Sequence, residues 1–386
     1  MKEFIKDKIR EGLLTEERIK LDMPIPSDIK NIKDVFKGHG YKLYVVGGAV
    51  RDALLGKTPK DYDLATDAVP DKVESMMAEA GLKTIATGKQ FGVINVFTDT
   101  DEYEIATFRS DSKEGDGRRP DSVSFTDIEG DVKRRDLTIN ALFYDIDTNE
   151  VVDLVGGVSD LKNGIVKTVG SANDRFEEDR LRILRAIRFA GRFGSDLDPE
   201  VDAALQNDAS LENISGERIR DEFLKGIKSA KSVKQFLSLI DKYNLFQWVF
   251  KGLNVNKGFI EDEDVMIVLA TLLKGNDIDT LRKKLNELKY SVDEIKLITF
   301  LIALLQLSID TAVTLKKAEN NVNVSPDQIN NFGGRENIDP KLLKAFNNFN
   351  LSVNGQDVMN TTGIKAGPEL GKMIHKMETD NFKKML

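Results

Sequence analysis

Two patterns of apolar spacing divide the chain. Between residue 41 and about residue 170 the apolar residues fall in short runs with strand character, at 43–46, 62–65, 93–97, 104–107, 122–125, 141–144, 151–154 and 165–169. Clusters of Gly, Asp, Asn and Lys separate most of these runs, as turns between strands require. One helical stretch, 70–80, interrupts them. After Ala172 the spacing lengthens to a helical period, first at Leu181, Leu184, Ile187 and Phe189. It continues through helical stretches at 199–206, 216–229, 232–243, 263–274, 278–288, 292–307 and 309–320. Ahead of the strands, residues 1–40 read as a charged helical lead-in, a turn at Pro24-Ile25-Pro26 and a short helix near 28–37.

The pattern predicts an α+β chain. A helical N-terminal extension (1–40) precedes a mixed-sheet head (41–170). Three all-α regions follow: a neck (171–230), a body (231–320) and a tail (321–386). The helices show no repeat period, which argues for small subdomains rather than a solenoid. The Asn-rich stretch 320–331 and Gly333-Gly334 mark the boundary before the tail.

Composition changes this picture little. The 386 residues are 40% hydrophobic and 31% charged, an ordinary globular balance with ample material for a core. The absence of cysteine excludes disulfides and thiolate metal sites. The first residues scatter charge and no apolar run follows them, so a cytoplasmic location and no membrane partner are expected. A net charge of −8 argues against a protein that coats nucleic acid, but it leaves room for local basic surfaces, which act within a Debye length. Nothing in the sequence sets an oligomeric state.

The candidate chemistry lies in four segments. Gly47 and Gly48 follow the strand at 43–46 and open a helix; glycines there let backbone N–H groups approach a phosphate, and Arg51 offers a fork of donors for a triphosphate. A lone Gly-Gly is equally an ordinary tight turn. Asp61 and Asp63 flank Tyr62 at the start of the next strand, where residues two apart share a face. They are placed to share one or two hard cations such as magnesium with substrate phosphate oxygens. Next, Arg134-Arg135-Asp136 precedes Asn140 and supplies donors and acceptors for phosphate and ribose; taken alone, this segment reads as a solvated charge run.

The fourth segment is Glu178-Asp179-Arg180-Leu181-Arg182, continuing to Arg185 and Arg188. At helical spacing Asp179, Arg182, Arg185 and Arg188 form one slowly drifting stripe. An Asp–Arg pair suits a base edge: the carboxylate accepts from the exocyclic amine of cytosine or adenine, and Arg donates to the neighbouring ring nitrogen. Uracil and guanine present the opposite polarity. The pair would therefore accept C and A and reject U and G.

These segments resemble the class II tRNA nucleotidyltransferases, the CCA-adding enzymes, and the related bacterial poly(A) polymerases. GGAVRDALLG (47–56) followed by DYDLAT (61–66) resembles the catalytic motif of that family. RRDLTINA (134–141), Asp153-Leu154-Val155-Gly156-Gly157 with Asp160-Leu161 and Ile165, the EDRLR run (178–182), and Ser215-Gly216-Glu217-Arg218-Ile219 resemble further motifs. Near the C-terminus, Asn354-Gly355-Gln356-Asp357 and Gly367-Pro368-Glu369-Leu370-Gly371 resemble the family tail, so the likeness runs from about residue 41 to the end.

The resemblance implies a template-independent enzyme that adds C and A to a tRNA 3′ end from CTP and ATP and releases pyrophosphate. Asp61 and Asp63 would hold two magnesium ions. Gly47, Gly48 and Arg51 would hold the triphosphate, Arg135, Asp136 and Asn140 the ribose and phosphates, and Asp179 and Arg182 the base, supported by Arg185 and Arg188. Asp116, Arg118, Arg119 and Asp121 resemble the flexible loop of members that add the terminal A. Glu104 is the candidate for a third metal carboxylate.

RNA is expected along the helical part. Lys225, Lys228, Lys231 and Lys234 recur at spacing three, Arg282, Lys283, Lys284 and Lys289 cluster, and the tail carries Lys365, Lys372, Lys376, Lys383 and Lys384. Any one of these groups is equally a solvated face. No catalytic histidine is implied, and His39 and His375 lie outside the motifs. Two alternatives stand beside this reading: a poly(A) polymerase that adds A only, and a catalytically silent RNA-binding protein. The second would have no need of Asp61, Asp63, Arg135, Asp179 and Arg182 together.

Overall fold

A computed structural model describes residues 17–111 and 123–386. The chain divides into two compact units. One runs to Ile214 and takes in Ser229–Lys231; the other comprises Ser215–Lys228 and Ser232–Leu386.

The first unit is built on an eight-stranded sheet. Its strands are β1 (Glu17–Lys20), β2 (Leu43–Val46), β3 (Asp63–Thr66), β4 (Lys83–Ile85), β5 (Val93–Phe97), β6 (Glu102–Thr107), β9 (Leu142–Asp145) and β10 (Glu150–Asp153), in the order β1-β10-β9-β2-β3-β6-β5-β4. Neighbours are antiparallel except β3 and β6, which are parallel. Two small pairs lie outside this sheet: β7 (Arg109–Asp111) with β8 (Val123–Phe125), and β11 (Ile165–Val166) with β12 (Asp196–Leu197).

Alternation along the strands sends side chains to opposite faces. One face carries Val45, Leu64, Ile105 and Tyr144, covered by α1 (Ser27–Gly38), α2 (Gly48–Leu54) and α3 (Pro70–Glu79) through Ile29, Ile32, Phe36, Val50, Val73 and Met77. The other face carries Tyr44, Val46, Ala65 and Phe143, packed with Phe108 and with Val132 of α4 (Ile128–Lys133). Tyr44, Phe108 and Phe143 form an aromatic triangle with centroids 5.7–6.3 Å apart. The unit is completed by α5 (Gly157–Asn163), α6 (Ala172–Glu178), α7 (Leu181–Phe193) and α8 (Pro199–Asn207).

The N-terminal extension is not helical throughout. Residues 17–20 form β1, paired with β10 in the register Arg18↔Val152. Ile19 packs against the core, while Arg18 and Lys20 lie 3.7 and 3.2 Å from Glu150. Charged side chains of this kind protect an edge strand from further pairing. The short helix expected near 28–37 is α1, and its Ile29, Ile32 and Phe36 are completely buried in the head's own core. The strand expected at 165–169 shortens to β11.

The second unit is helical, from α9 (Gly216–Ser229) and α10 (Val233–Lys242) through α11 (Phe246–Val249), α12 (Val265–Leu273), α13 (Ile278–Glu287), α14 (Val292–Leu304) and α15 (Ala312–Glu319) to α16 (Pro326–Arg335), α17 (Pro340–Asn348), α18 (Gly355–Thr362) and α19 (Pro368–Lys383). α12 is apolar on every face because it runs through the core. The Asn-rich stretch follows α15 and leads into α16, which starts with a Ser325–Gln328 capping box. No helix among the described residues is long and apolar enough to cross a membrane.

Candidate functional site

The site starts from sheet register. Val46, the last residue of β2, pairs with Asp63 on one side and Phe143 on the other. Paired residues point to the same face, so these three side chains stand in a row. The chain then turns sharply at Gly47, whose φ of 67° lies in the left-handed region that favours glycine. A β-carbon there would stand 3.7 Å from the Asn140 carbonyl oxygen and 3.9 Å from an Arg135 nitrogen, so the turn abuts the Arg134–Asn140 segment.

Asp63, paired with Val46 just before this turn, and Asp61, two residues ahead of β3, both have exposed side chains. Local desolvation pushes the Asp63 carboxyl above the usual range; Arg135 opposes that shift and Asp61 adds to it. The parallel register Leu64↔Ile105 brings Glu104 alongside, and its carboxyl is likewise pushed up, by desolvation and then by Asp63. Among the described residues no three His, Cys, Asp or Glu side chains converge into a ready-made metal cage.

Guanidinium groups wall the other side. Arg135 stacks over the Phe143 ring at 4.7 Å, and its Nε donates to Asp131 Oδ2 at 3.0 Å. Asp136 accepts from Arg185 at 2.7 Å and from the Leu137 N–H at 2.7 Å. Burial raises the Asp136 pKa, but Arg185 and these hydrogen bonds outweigh it and hold the carboxyl below its ordinary value. Arg51 is only 4% exposed. Its guanidinium donates to the Asn140 side chain and to Asp52 at 2.9 and 3.0 Å, and packs 5.1 Å from the Phe189 ring centroid. Burial pushes its pKa below the usual arginine value. Arg51, expected at the triphosphate, is thus turned into the protein, where it braces the Gly47 turn against α7. Around the same Phe189 lie Arg185 at 5.9 Å and Arg188 at 4.3 Å.

The base-reading candidates sit where α6 gives way to α7. Asp179 is extended (φ −150°, ψ 104°) and accepts from the Leu181 N–H at 3.0 Å. Arg182, in the first turn of α7, donates to Glu178 at 2.7 Å and to the carbonyls of Arg134 at 3.0 Å and Arg175 at 3.3 Å. Exposed carboxylates facing a set of positioned guanidinium groups suit a polyanionic ligand that shares its oxygens with a hard cation.

Comparison with known proteins agrees. The family model for the Poly A polymerase head domain matches residues 43–167, and that for the probable RNA and SrmB-binding site of polymerase A matches 195–256. A CCA-adding enzyme of Ligilactobacillus salivarius is 32% identical over 388 residues, which covers 92% of this chain and 93% of that protein. The chain belongs to the CCA-adding enzyme family. A CCA-adding enzyme of Bacillus pumilus is 45% identical over 205 residues, 52% of this chain and 50% of that protein. Among solved structures, the Bacillus stearothermophilus CCA-adding enzyme in complex with CTP aligns with a TM-score of 0.67 at 25% identity, over 93% of this chain and 94% of that one. The Thermotoga maritima CCA-adding enzyme complexed with tRNA_CCA shares the fold, with a TM-score of 0.69 at 21% identity over 95% of each chain. The expected α+β architecture and nucleotidyltransferase class both hold.

Within this CCA-adding family member the remaining candidates are placed less compactly. Lys225 and Lys228 project from α9 and, with Arg220 and Lys289, line a cavity of about 420 Å³ in the second unit. Lys231 belongs to the first unit, where its backbone N–H donates to the Gly191 carbonyl in α7. Lys372 and Lys376 are exposed on α19. Asp116, Arg118, Arg119 and Asp121 lie outside the described residues.

Sequence reasoning missed Asp52 and Asp131. Asp131 is four residues before Arg135, a helical neighbour spacing that signals an ion pair once residues 128–133 are known to be helical. Asp52, which is also 3.3 Å from Arg192 of α7, carries no such local signal.

Proposed function

We propose that this protein adds C and A to the 3′ end of tRNA from CTP and ATP, releasing pyrophosphate, and that two magnesium ions at Asp61 and Asp63 serve the reaction. The observation that carries this reading is the juxtaposition of the Asp61–Asp63 pair, the Gly47 turn and Arg135, supported by kinship with CCA-adding enzymes.

The residues fit such ions. All the donors are carboxylate oxygens, as magnesium prefers, and like charges sharing one strand end gain from a cation between them. With only two carboxylates assigned, substrate phosphate oxygens and water would complete the coordination; Glu104, beside Asp63, is the third carboxylate we would test. Bound there, the metals would acidify the RNA 3′-hydroxyl and neutralise the leaving pyrophosphate.

The protein's own groups do the rest. The Gly47–Gly48 turn admits phosphate oxygens to backbone approach. Arg135, stacked on Phe143, directs positive charge to the α-phosphate beside Asp63, and its fixed orientation means little reorganisation as charge develops. Arg185 holds Asp136, so the Arg134–Asn140 segment stays against α7. Asp179 and Arg182 select the base: a carboxylate acceptor and a guanidinium donor match the edges of C and A and mismatch U and G. Asp116, Arg118, Arg119 and Asp121 are assigned to the switch from C to A. Lys225, Lys228 and the neighbouring Arg220 and Lys289 are assigned to the RNA backbone, with Lys372 and Lys376 contributing from the tail, since such contact needs charge and shape only.

The test is incorporation. The protein is incubated with magnesium and a tRNA lacking its 3′ terminus, with CTP, ATP, UTP and GTP supplied singly and in pairs. Addition of two C residues with CTP alone and completion with CTP plus ATP is expected. ATP-only tails of indefinite length would replace this reading by a poly(A) polymerase, and no incorporation with any nucleotide would reduce the protein to an RNA binder.

A further inference from the structure

Asp131 is 1% exposed, and its two oxygens serve different arginines. Oδ1 accepts from Arg134 Nε at 2.9 Å, from an Arg134 terminal nitrogen at 2.7 Å and from the Arg109 N–H at 3.2 Å. Oδ2 takes both Nε and a terminal nitrogen of Arg135 at 3.0 Å. Burial raises the Asp131 pKa, but the two arginines and these hydrogen bonds outweigh it and keep the carboxyl below its usual value, so it stays ionised.

Each arginine leads to a different part of the site. With Nε and one terminal nitrogen gripped by Asp131, the remaining Arg135 nitrogen is left beside the Asn140 carbonyl at 3.5 Å, against the Gly47 turn, while the guanidinium carbon sits over the Phe143 ring, 4.7 Å from its centroid. A planar fork held on one edge can present only its other edge. Arg134 leads elsewhere: its backbone carbonyl accepts from Arg182 at 3.0 Å. One buried carboxylate therefore sets both the guanidinium whose charge acts on Asp63 and the residue whose carbonyl supports Arg182.

We propose that Asp131 is a positioning residue that couples the catalytic end of the site to its base-reading end, acting on the reaction through Arg135 and on nucleotide choice through Arg134 and Arg182. At 1% exposure and held by Arg109, Arg134 and Arg135, it acts through these partners. The proposal rests on the functional reading above for the identity of the nucleotides, CTP and ATP, but not for the coupling itself.

An Asp131→Asn side chain keeps the shape but has a single acceptor oxygen, which cannot serve both arginines. We expect kcat to fall and the KM for CTP and ATP to rise, together by about 10- to 100-fold in kcat/KM, the usual cost of losing a group that orients a site residue. The preference for CTP and ATP over UTP should narrow, and affinity for tRNA should be unchanged.

The decisive measurement is a double-mutant cycle with Arg135→Lys, read as kcat/KM and as CTP affinity by calorimetry with magnesium present. Strong non-additivity, with Asp131→Asn costing little once Arg135 is replaced, supports the proposal. Independent, additive losses overturn it, as does a less heat-stable Asp131→Asn protein with unchanged kcat, KM and CTP affinity. If Asp131→Asn does not fold, the same cycle with Asp131→Glu is read in the same way. A wild-type protein inert on tRNA would sink the proposed function, while the calorimetric cycle still decides the role of Asp131.

Discussion

The two units handle charge in opposite ways. In the first, Asp145 and Asp153 are buried as caps of backbone N–H groups, but four other charged side chains are drawn inward around one place: Asp131 is 1% exposed, Arg51 4%, and Arg135 and Asp136 keep side-chain exposures of 15% and 12%. Most of these groups meet an oppositely charged partner and an aromatic face or backbone group as well. In the second unit the buried charges knit helices together. Asp262 holds Asn331 and Arg335, Lys316 holds Glu319 and the Phe346 carbonyl, and Glu378 caps the N–H groups of Ser352 and Val353. The cations assigned to RNA there, Lys225, Lys228, Lys372 and Lys376, stay exposed.

The contrast follows from what each unit is proposed to bind. A nucleotide is small and its reacting atoms must be placed within fractions of an ångström, so its partners gain from being held rigidly before it arrives. An RNA backbone is a long, regular polyanion. Mobile lysines in water suffice for it, because much of the binding free energy comes from releasing counterions. Single substitutions should therefore be severe in the first unit and graded in the second.

The largest effect is expected at the carboxylates. Asp61→Ala or Asp63→Ala should lower kcat by roughly 1000-fold or more, the scale at which a main electrostatic contributor to a transition state is lost, with tRNA affinity retained. Chelation of divalent metal should abolish incorporation in the wild type, and magnesium should restore it. An Asp61→Ala protein with near-normal turnover would refute the metal assignment.

Next comes base choice. Arg182→Ala should reduce the preference for CTP and ATP over UTP by about 10- to 100-fold, matching the worth of a good base-edge contact. Competition assays with paired nucleotides measure this; an unchanged preference would move base recognition away from α7.

Two glycines separate stability from activity. A β-carbon on Gly157 would lie 2.1 Å from the Thr138 carbonyl oxygen, against the turn that carries Asn140, whereas one on Gly226 would lie 2.2 Å from the Phe236 ring in the second unit. Each Ala substitution should cost about 1–3 kcal/mol of stability by overpacking, seen in thermal melts. Below its melting range the Gly157→Ala protein should also lose kcat, while Gly226→Ala should keep it. Equal kcat losses in both would remove the distinction.

The smallest effects belong to the lysines. Lys225→Ala or Lys228→Ala should weaken tRNA binding only a few-fold at moderate salt and lower the slope of log affinity against log salt by about 0.7–0.9 per lost phosphate contact. Unchanged salt dependence would show that the α9 face is merely solvated.

The division into a strand-rich head and helical remainder was legible because periods of two and 3.6 residues are local properties of a segment. The same locality made the Gly-Gly turn, the Asp-x-Asp strand start and the Asp179-to-Arg188 stripe visible as candidates. What could not be read were the consequences of long-range pairing. Residues 17–20 form a strand because β10 offers them an edge. Arg51 turns inward because Asp52, Asn140 and Phe189 surround it. The Asn-rich stretch leads into a helix because Ser325 caps it and its Ile329 and Phe332 find a core. Spacing along the chain specifies which face a side chain takes, but its burial, and the partner that holds it, are set by segments remote in sequence. For that reason the carboxylates at 61 and 63 announced themselves, whereas Asp131, with an ordinary place in a charged run, acquired its significance only when folding buried it against Arg109 and set its helical neighbours Arg134 and Arg135 beside α7 and the Gly47 turn.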